Sequence, residues 1–240
     1  MTDRPAQQSA ARGPVRPKDA AGLVLLRGSR EAPEVLMGRR HKRASFLPDI
    51  YVFPGGRLDD SDKAPSGYPE KLDGALARQL ACGNRSREAM PLLRAAVRET
   101  FEETGLLLAA DTHARDAKDQ PPVWQAFSAL GRRPAFETMD FVCRAITPVT
   151  SPKRFNTRFF LADGANMGGT LLGDGELEDL AWRPVEKMWS MEIVDVTEFV
   201  LREAIKRWQE RTAIGTRPAP LFCYVKDTAQ VRARAHHGRE

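Results

Sequence analysis

Apolar positions along this 240-residue chain follow two rhythms. Residues 21–28, AGLVLLRG, form a short continuous apolar run, as in strands covered on both faces. EVLMGRR at 34–40 repeats the pattern, and REAP between them marks a hairpin-like turn. YVFP at 51–54 reads as a strand end, broken by Pro54, Gly55 and Gly56. Helical spacing then takes over. Leu72, Leu76 and Leu80 lie four apart in a predicted helix over 72–82. PLLRAAVRETFEETG at 91–105 is the clearest helix, with Pro91 suited to its first turn and Gly105 to its left-handed C-terminal cap. A further helix is predicted at 122–131, strands at 141–148, 157–163 and 177–185, and a short helix at 185–189. The helix over 196–212 has an apolar stripe of Phe199, Val200, Ala204 and Trp208. Strands interleaved with helices predict an α/β fold, a mixed β-sheet with helices on both faces.

Between about 58 and 90 the pattern is irregular, with turn residues at 65–69. This stretch is too short for its own core and reads as a partly helical insertion in one domain spanning 19–228. Residues 1–18 and 229–240 read as basic tails. Arg4, Arg12, Arg16 and Lys18 against Asp3 give the first a charge of +3, and Arg232, Arg234 and Arg239 against Glu240 give the second +2. Together they hold the whole formal excess of +5, so 19–228 is formally neutral and a nucleic-acid-binding face is not indicated. No run of 18 apolar residues is present, so no membrane span is expected, and the N-terminus lacks the apolar core of a secretory signal. Cys82, Cys143 and Cys223 are odd in number and contain no CxxC pair, which points away from a disulfide framework or zinc site and toward free thiols in the cytoplasm. With His41, His113, His236 and His237 the only histidines, a His-based metal site or catalytic triad is not expected.

The candidate chemistry lies in RETFEETG, 98–105. Glu99, Glu102 and Glu103, at i, i+3 and i+4, project from one helix face. Like charges so placed repel, and a bound hard cation such as Mg²⁺ or Mn²⁺ reverses that sign. A solvated acidic helix face accounts for the same spacing. Forty-two residues upstream of Arg98 stands Gly56, closing FPGG.

FPGG followed by a helix bearing RExxEExG resembles the Nudix hydrolase family, whose box reads G-x5-E-x7-R-E-U-x-E-E-x-G-U, with U an apolar residue. Arg98, Glu99, Glu102, Glu103, Gly105 and Leu106 match its second half, and Gly56, after Gly55, its first. VLMGRRHKRASFLPDIYVFPGG before the box and ELEDLAWRPVEKM after it extend the resemblance over about residues 20 to 210. The sequence departs from the pattern in three places. Gly56 and Arg98 are separated by 41 residues instead of 13, an excess that falls within the 58–90 insertion and costs on the order of 1 kcal/mol in loop closure. The box's first Glu has no clear counterpart: counting from Gly56 lands on Asp62, and counting back from Arg98 lands on Met90. Thr100 fills an apolar slot. An insertion of this kind marks a sub-branch resembling the peroxisomal coenzyme A diphosphatases.

The resemblance implies a Nudix α/β/α sandwich and metal-dependent hydrolysis of a diphosphate bond in a nucleoside diphosphate derivative. Coenzyme A or an acyl-coenzyme A is the leading substrate, with ADP-ribose or dinucleotides, or a non-catalytic nucleotide-binding module, as alternatives. It implies Glu99, Glu102 and Glu103 as ligands of Mg²⁺ or Mn²⁺, with Gly55 or Gly56 completing the set through the backbone, and Glu99, Glu102, Arg98 and Glu178 in catalysis. Glu176 is a second candidate acid in the late loop. For substrate binding, Arg40, Arg154, Arg158 and Phe155 are the candidates; Phe155, Lys153, Arg154 and Arg158 compose a basic-aromatic stretch that suits phosphates and a base. A small-molecule partner and a possible homodimer complete the expectation.

Overall fold

The computed structural model describes residues 14–72, 74–80, 89–111, 120–173, 175–226 and 228–232. Strand β1, Lys18–Gly28, is the spine of the fold. Its alternate residues serve two cores: Ala21, Leu23 and Leu25 face one layer, Val24 and Leu26 the other. This is why its sequence is apolar without interruption. β2 (Pro33–Arg40) follows as an antiparallel hairpin partner, with Leu26 opposite Val35. β3 is the short Tyr51–Val52, and β4 is Gly55–Arg57, which pairs antiparallel with the first half of β1. The helices α1 (Gly74–Leu80) and α2 (Ala89–Thr104) lead into β5, Leu106–Asp111. Then come α3 (Pro122–Ala129), β6 (Arg132–Pro134), β7 (Asp140–Ile146), β8 (Phe155–Asp163) and β9 (Met167–Gly169). β10 (Leu177–Pro184), α4 (Val185–Met188), α5 (Asp195–Glu210), β11 (Leu221–Val225) and β12 (Thr228–Arg232) complete the order.

Among the described residues the main sheet runs β10-β2-β1-β8-β7-β11-β12, with β3 on β2 and β4 on β1. It is mixed: β1 is parallel to β8 and β7 to β11, the other pairings being antiparallel. One core joins its first face to α1, α2 and α3 and to the small sheet β6-β5-β9; the other joins its second face to α4 and α5. The α/β/α sandwich expected from the sequence is therefore present. No helix among the described residues is long and apolar enough to cross a membrane.

The differences from expectation have local causes. β4 carries on where Pro54 and two glycines read as a break, because β1 offers it a partner. β5 continues an apolar run after a helix, which periodicity alone cannot separate from more helix. The expected apolar stripe of α5 is rotated: Val200, Leu201 and Ala204 are buried together with Glu203 and Arg207, while Phe199 and Trp208 are only partly buried. Residues expected in a basic C-terminal tail instead form β12, an edge strand exposed throughout and paired with β11; basic residues suit a sheet edge. Lys18, placed in the N-terminal tail, already begins β1. Residues 1–13 and 233–240 of the expected tails, Cys82, and positions 73 and 81–88 of the insertion lie outside the described residues. The rest of the insertion is built into the fold, since Tyr68, Leu76 and Leu80 join the first core.

Phe160 is fully buried and packs against Phe141 with ring centroids 5.8 Å apart. Phe160→Ala is expected to cost about 3–5 kcal/mol, measured by urea unfolding; a loss below about 1 kcal/mol would mean that this site collapses without a cavity.

Candidate active site

The candidate site begins with how α2 ends and what it lies on. Gly105, at φ +72°, closes the helix in the left-handed conformation, its N–H donating to Phe101 O at 2.7 Å. Upstream, the buried face of α2 packs on β1 and β4. Two glycines of β4 allow this approach. A Cβ on Gly55 would stand 2.5 Å from Ala21 O, and one on Gly56 2.4 Å from the Glu99 carboxyl carbon, so any larger residue displaces β1 or the carboxylate. The Gly55 N–H donates to Glu103 Oε2 at 2.8 Å.

Arg98 organises the acids. Its Nε and Nη2 donate to the two carboxylate oxygens of Asp62 at 2.9 and 2.8 Å, a bidentate pair. Nη1 donates to Glu99 Oε1 at 2.9 Å and Glu102 Oε2 at 2.8 Å, and Nη2 also reaches Arg57 O at 3.2 Å. Burial alone would lower the Arg98 pKa, but its bonds to Asp62 and the charges of Glu99, Asp62 and Glu102 raise it. One turn earlier, Arg94 donates to Asp62 O at 2.8 Å and to both carboxylate oxygens of Glu70. These two arginines fasten the first part of the insertion to the buried side of α2.

The three glutamates are not equivalent. Glu102 is half exposed. Glu99 is largely buried, and desolvation raises its pKa, helped by the charges of Glu102 and Asp62 and opposed by Arg98. Glu103 is 3% exposed; desolvation, with the charges of Glu99 and Glu176, pushes it well above the usual carboxylate range, against the Gly55 N–H and Arg40. Among the described residues no three carboxylate, imidazole or thiol groups already converge on one point.

The loop before β10 supplies the remaining acids. Glu176 lies 3.6 Å from Arg40 and acts electrostatically on Glu103. Glu178 instead meets Arg39 at 3.4 Å and His41 at 3.5 Å. Asp179, at φ +49°, accepts from Tyr51 Oη at 2.5 Å and pairs with Arg183, which pins this loop to β3.

Of the sequence-derived candidates, the structure brings together Arg98, Glu99, Glu102, Glu103, Gly55 and Gly56, with Arg40 at their edge. Arg40 Nε is buried and has no hydrogen-bond partner. Arg154 and Arg158 are committed elsewhere. Arg154 donates to Thr147 O through two nitrogens at 3.2 Å and to Val15 O at 2.8 Å. Arg158 is buried on β8 and bound to Asp19 at 2.5 Å and Asn156 O at 3.0 Å, so it is a strut between β8 and β1, not a free phosphate contact. Phe155 is half buried and meets Phe46 edge-on at 5.2 Å, and Lys153 donates to Ser45 Oγ at 2.5 Å, which joins the 41–50 loop to the start of β8. The residue that sequence reasoning left open is Asp62, 2% exposed and paired with Arg98; counting six positions on from Gly56 was the signal that located it.

Asp62→Ala leaves a buried guanidinium without its main partner, and a loss of about 3–5 kcal/mol is expected in urea unfolding, whereas Met90→Ala should leave the Arg98 contacts intact. A loss below about 1 kcal/mol at Asp62 would remove it from this role. Glu103→Gln keeps an acceptor for the Gly55 N–H and removes a buried charge. A carboxylate whose pKa is raised on folding adds stability below its unfolded pKa and loses it as pH rises through the folded one. In chelator-treated buffer the variant should therefore be more stable than the parent at neutral and alkaline pH, with the difference fading in acid. Destabilisation at every pH would contradict this electrostatic account.

No family model matches the chain. The chain is 30% identical to the NUDIX hydrolase from Alicyclobacillus acidocaldarius, covering 80% of its own length and 92% of that chain with a TM-score of 0.59. It is 33% identical over 99 residues to acyl-coenzyme A diphosphatase NUDT19 of Xenopus laevis, a match spanning 31% of this chain and 25% of that protein. To nudix hydrolase 7 of Caenorhabditis elegans it is 29% identical over 153 residues, 60% of this chain and 43% of the relative. The matches thus span between a quarter and less than half of these two curated relatives.

Proposed function

The chain belongs to the Nudix hydrolase family, and from that premise we propose that it is a divalent-metal-dependent diphosphatase acting on coenzyme A or an acyl-coenzyme A. The observation that carries the catalytic part is how the α2 acids are held beside β4: Glu103 accepts from the Gly55 N–H, Glu99 lies against Gly56, and Arg98 donates to Glu99 and Glu102.

The donor set fits a hard divalent ion. It is all oxygen, and its most buried member, Glu103, is held among the like charges of Glu99 and Glu176 with one N–H donor and Arg40 to offset them. Glu99, Glu102 and Glu103 would hold Mg²⁺ or Mn²⁺, with a backbone oxygen of Gly55 or Gly56. Such an ion supplies charge neutralisation for the diphosphate and acidifies the attacking water.

The chain's own groups account for the rest. Arg98, anchored on Asp62, orients Glu99 and Glu102 from behind the reacting face. Arg40, with a buried N–H lacking a partner, would donate to a phosphate oxygen of the substrate. For proton acceptance we favour Glu176 over Glu178, because the charge of Glu176 acts on Glu103 whereas Glu178 is engaged by Arg39 and His41. Phe155 and Phe46 form an aromatic step beside the 41–50 loop that suits the adenine end of a nucleotide. The coenzyme A assignment draws support from the name of the Xenopus laevis relative.

The test is a product assay with Mg²⁺ or Mn²⁺ across coenzyme A, acetyl-coenzyme A, ADP-ribose, NADH and diadenosine polyphosphates. Release of 3′,5′-ADP and a phosphopantetheine product is expected, with kcat reduced about 10²-fold or more in Glu102→Gln and in Glu176→Gln and much less in Glu178→Gln. Cleavage of another substrate in place of coenzyme A would overturn the substrate assignment, and no turnover by a folded protein would overturn the catalytic one.

A further inference from the structure

A second concave feature lies at the far end of the sheet. It is a cleft of about 450 Å³ lined by the ends of β1 and β8, by Asp140 at the start of β7 and by the last turn of α5. The register of β1 gives its distance from the carboxylates. Gly55 and Gly56 stand beside Gly22 and Ala21, whereas the cleft begins at Gly28, six residues further along, or roughly 20 Å at strand rise. No candidate discussed above lines it.

The floor of the cleft is a closed ionic network. Arg207 is almost fully buried and lies 3.4 Å from both Asp140 and Glu203, with Nη2 donating to Phe141 O and Pro218 O. Asp140 accepts from the N–H groups of Gly215 and Phe141 at 2.8 and 3.0 Å, and Lys206 pairs with Glu203 at 2.7 Å. These charges balance. The rim does not balance. Arg30 and Arg211 both line the cleft and have no hydrogen bond or ion pair among the described residues, while the one acid at the rim, Asp163, accepts from Ala165 N at 2.8 Å. One further group on the lining lacks a partner: Thr212 Oγ1 is buried without a hydrogen bond. Trp208 completes the wall, its Nε1 donating to Ser29 O at 3.2 Å, which holds the β1–β2 turn carrying Arg30 against α5.

We propose that this cleft is a second binding site, for a small phosphate-bearing molecule with a planar ring. Two unpaired guanidiniums bind a phosphate and outweigh the partial negative charge at the C-terminal end of α5. Thr212 supplies a hydroxyl without a partner, and Trp208 an aromatic wall. The volume is within the range of small-molecule sites. Without a ligand the buried Thr212 hydroxyl has no partner and the two rim arginines face only solvent; an anionic ligand gives these groups a partner.

AMP and inorganic phosphate serve as probes, titrated into the full chain in chelator-treated buffer so that no turnover intervenes. The readout is the indole N–H resonance of Trp208, assigned with Trp208→Phe. A saturable shift is expected with AMP, competed by phosphate. Its apparent Kd should rise about tenfold or more in the double variant Arg30→Ala/Arg211→Ala, which alters only rim side chains, and stay unchanged in Glu102→Gln. No saturable shift, a shift that survives the double substitution, or one abolished by Glu102→Gln would overturn the proposal. The last result would place the ligand at the carboxylate site instead.

Discussion

The guanidinium of Arg98 is the group on which the rest of this structure depends. It is buried, and a buried charge is tolerated only when its donors are fully used. Here they are divided between two stretches some forty residues apart: Arg57 O at the end of β4 with Asp62 of the adjoining insertion, and Glu99 and Glu102 on its own helix. One side chain therefore sets the height of α2 above β4, fixes where the insertion re-enters the fold, and aims two of the three glutamates. Arg94 repeats the device one turn away with Glu70 and the Asp62 carbonyl. A 41-residue gap between the two halves of the motif is compatible with one site because these contacts close it from both sides.

Around that anchor the acids are held in an unfavourable state. Glu99 and Glu103 are buried beside one another, and both are pushed toward protonation. The glycines of β4 make this possible by letting a backbone come within contact of both carboxylates. Such an arrangement lowers the stability of the chain, the usual compromise at a functional centre. Arg40 and Glu176, brought in from the β2 end and the loop before β10, add one charge of each sign at the edge of this cluster.

The sheet carries unlike chemistry at its two ends. At the β4 end negative charge exceeds positive and the approach is through glycine. At the other end Arg207 and Asp140 neutralise one another beneath an arginine-bearing rim. The rotation of α5 follows from that network. Placing Arg207 inward against Asp140 turns Trp208 toward the cleft, so the buried stripe runs through Val200, Leu201 and Ala204. A charged residue in the buried face overrides the hydrophobic period because its partners lie on the sheet, where helical spacing cannot register them.

Local pattern was enough to establish the spine strand, the hairpin after it, the carboxylate helix with its Gly105 cap, and the α/β/α layering, because these follow from side-chain period and from residues that only one conformation tolerates. The box residues Arg98, Glu99, Glu102 and Glu103 were legible because all four lie on one helix, at a spacing that a helix converts directly into a common face. What local pattern could not supply was every pairing across long separation. Counting left the box's first Glu without a clear counterpart, landing on Asp62 from one side and Met90 from the other, and only the folded chain, by laying the insertion under α2, brings the Asp62 carboxylate to Arg98. Of the two late-loop acids the sequence put Glu178 ahead of Glu176; the folded chain pairs Glu176 with Arg40 and Glu178 with Arg39 and His41. Arg154 and Arg158 read as free cations, but neighbours at Val15 and Asp19, more than a hundred positions away, use their donors. Periodicity is a property of neighbours in the chain, whereas a charge is fixed by whatever the sheet brings within about 4 Å of it.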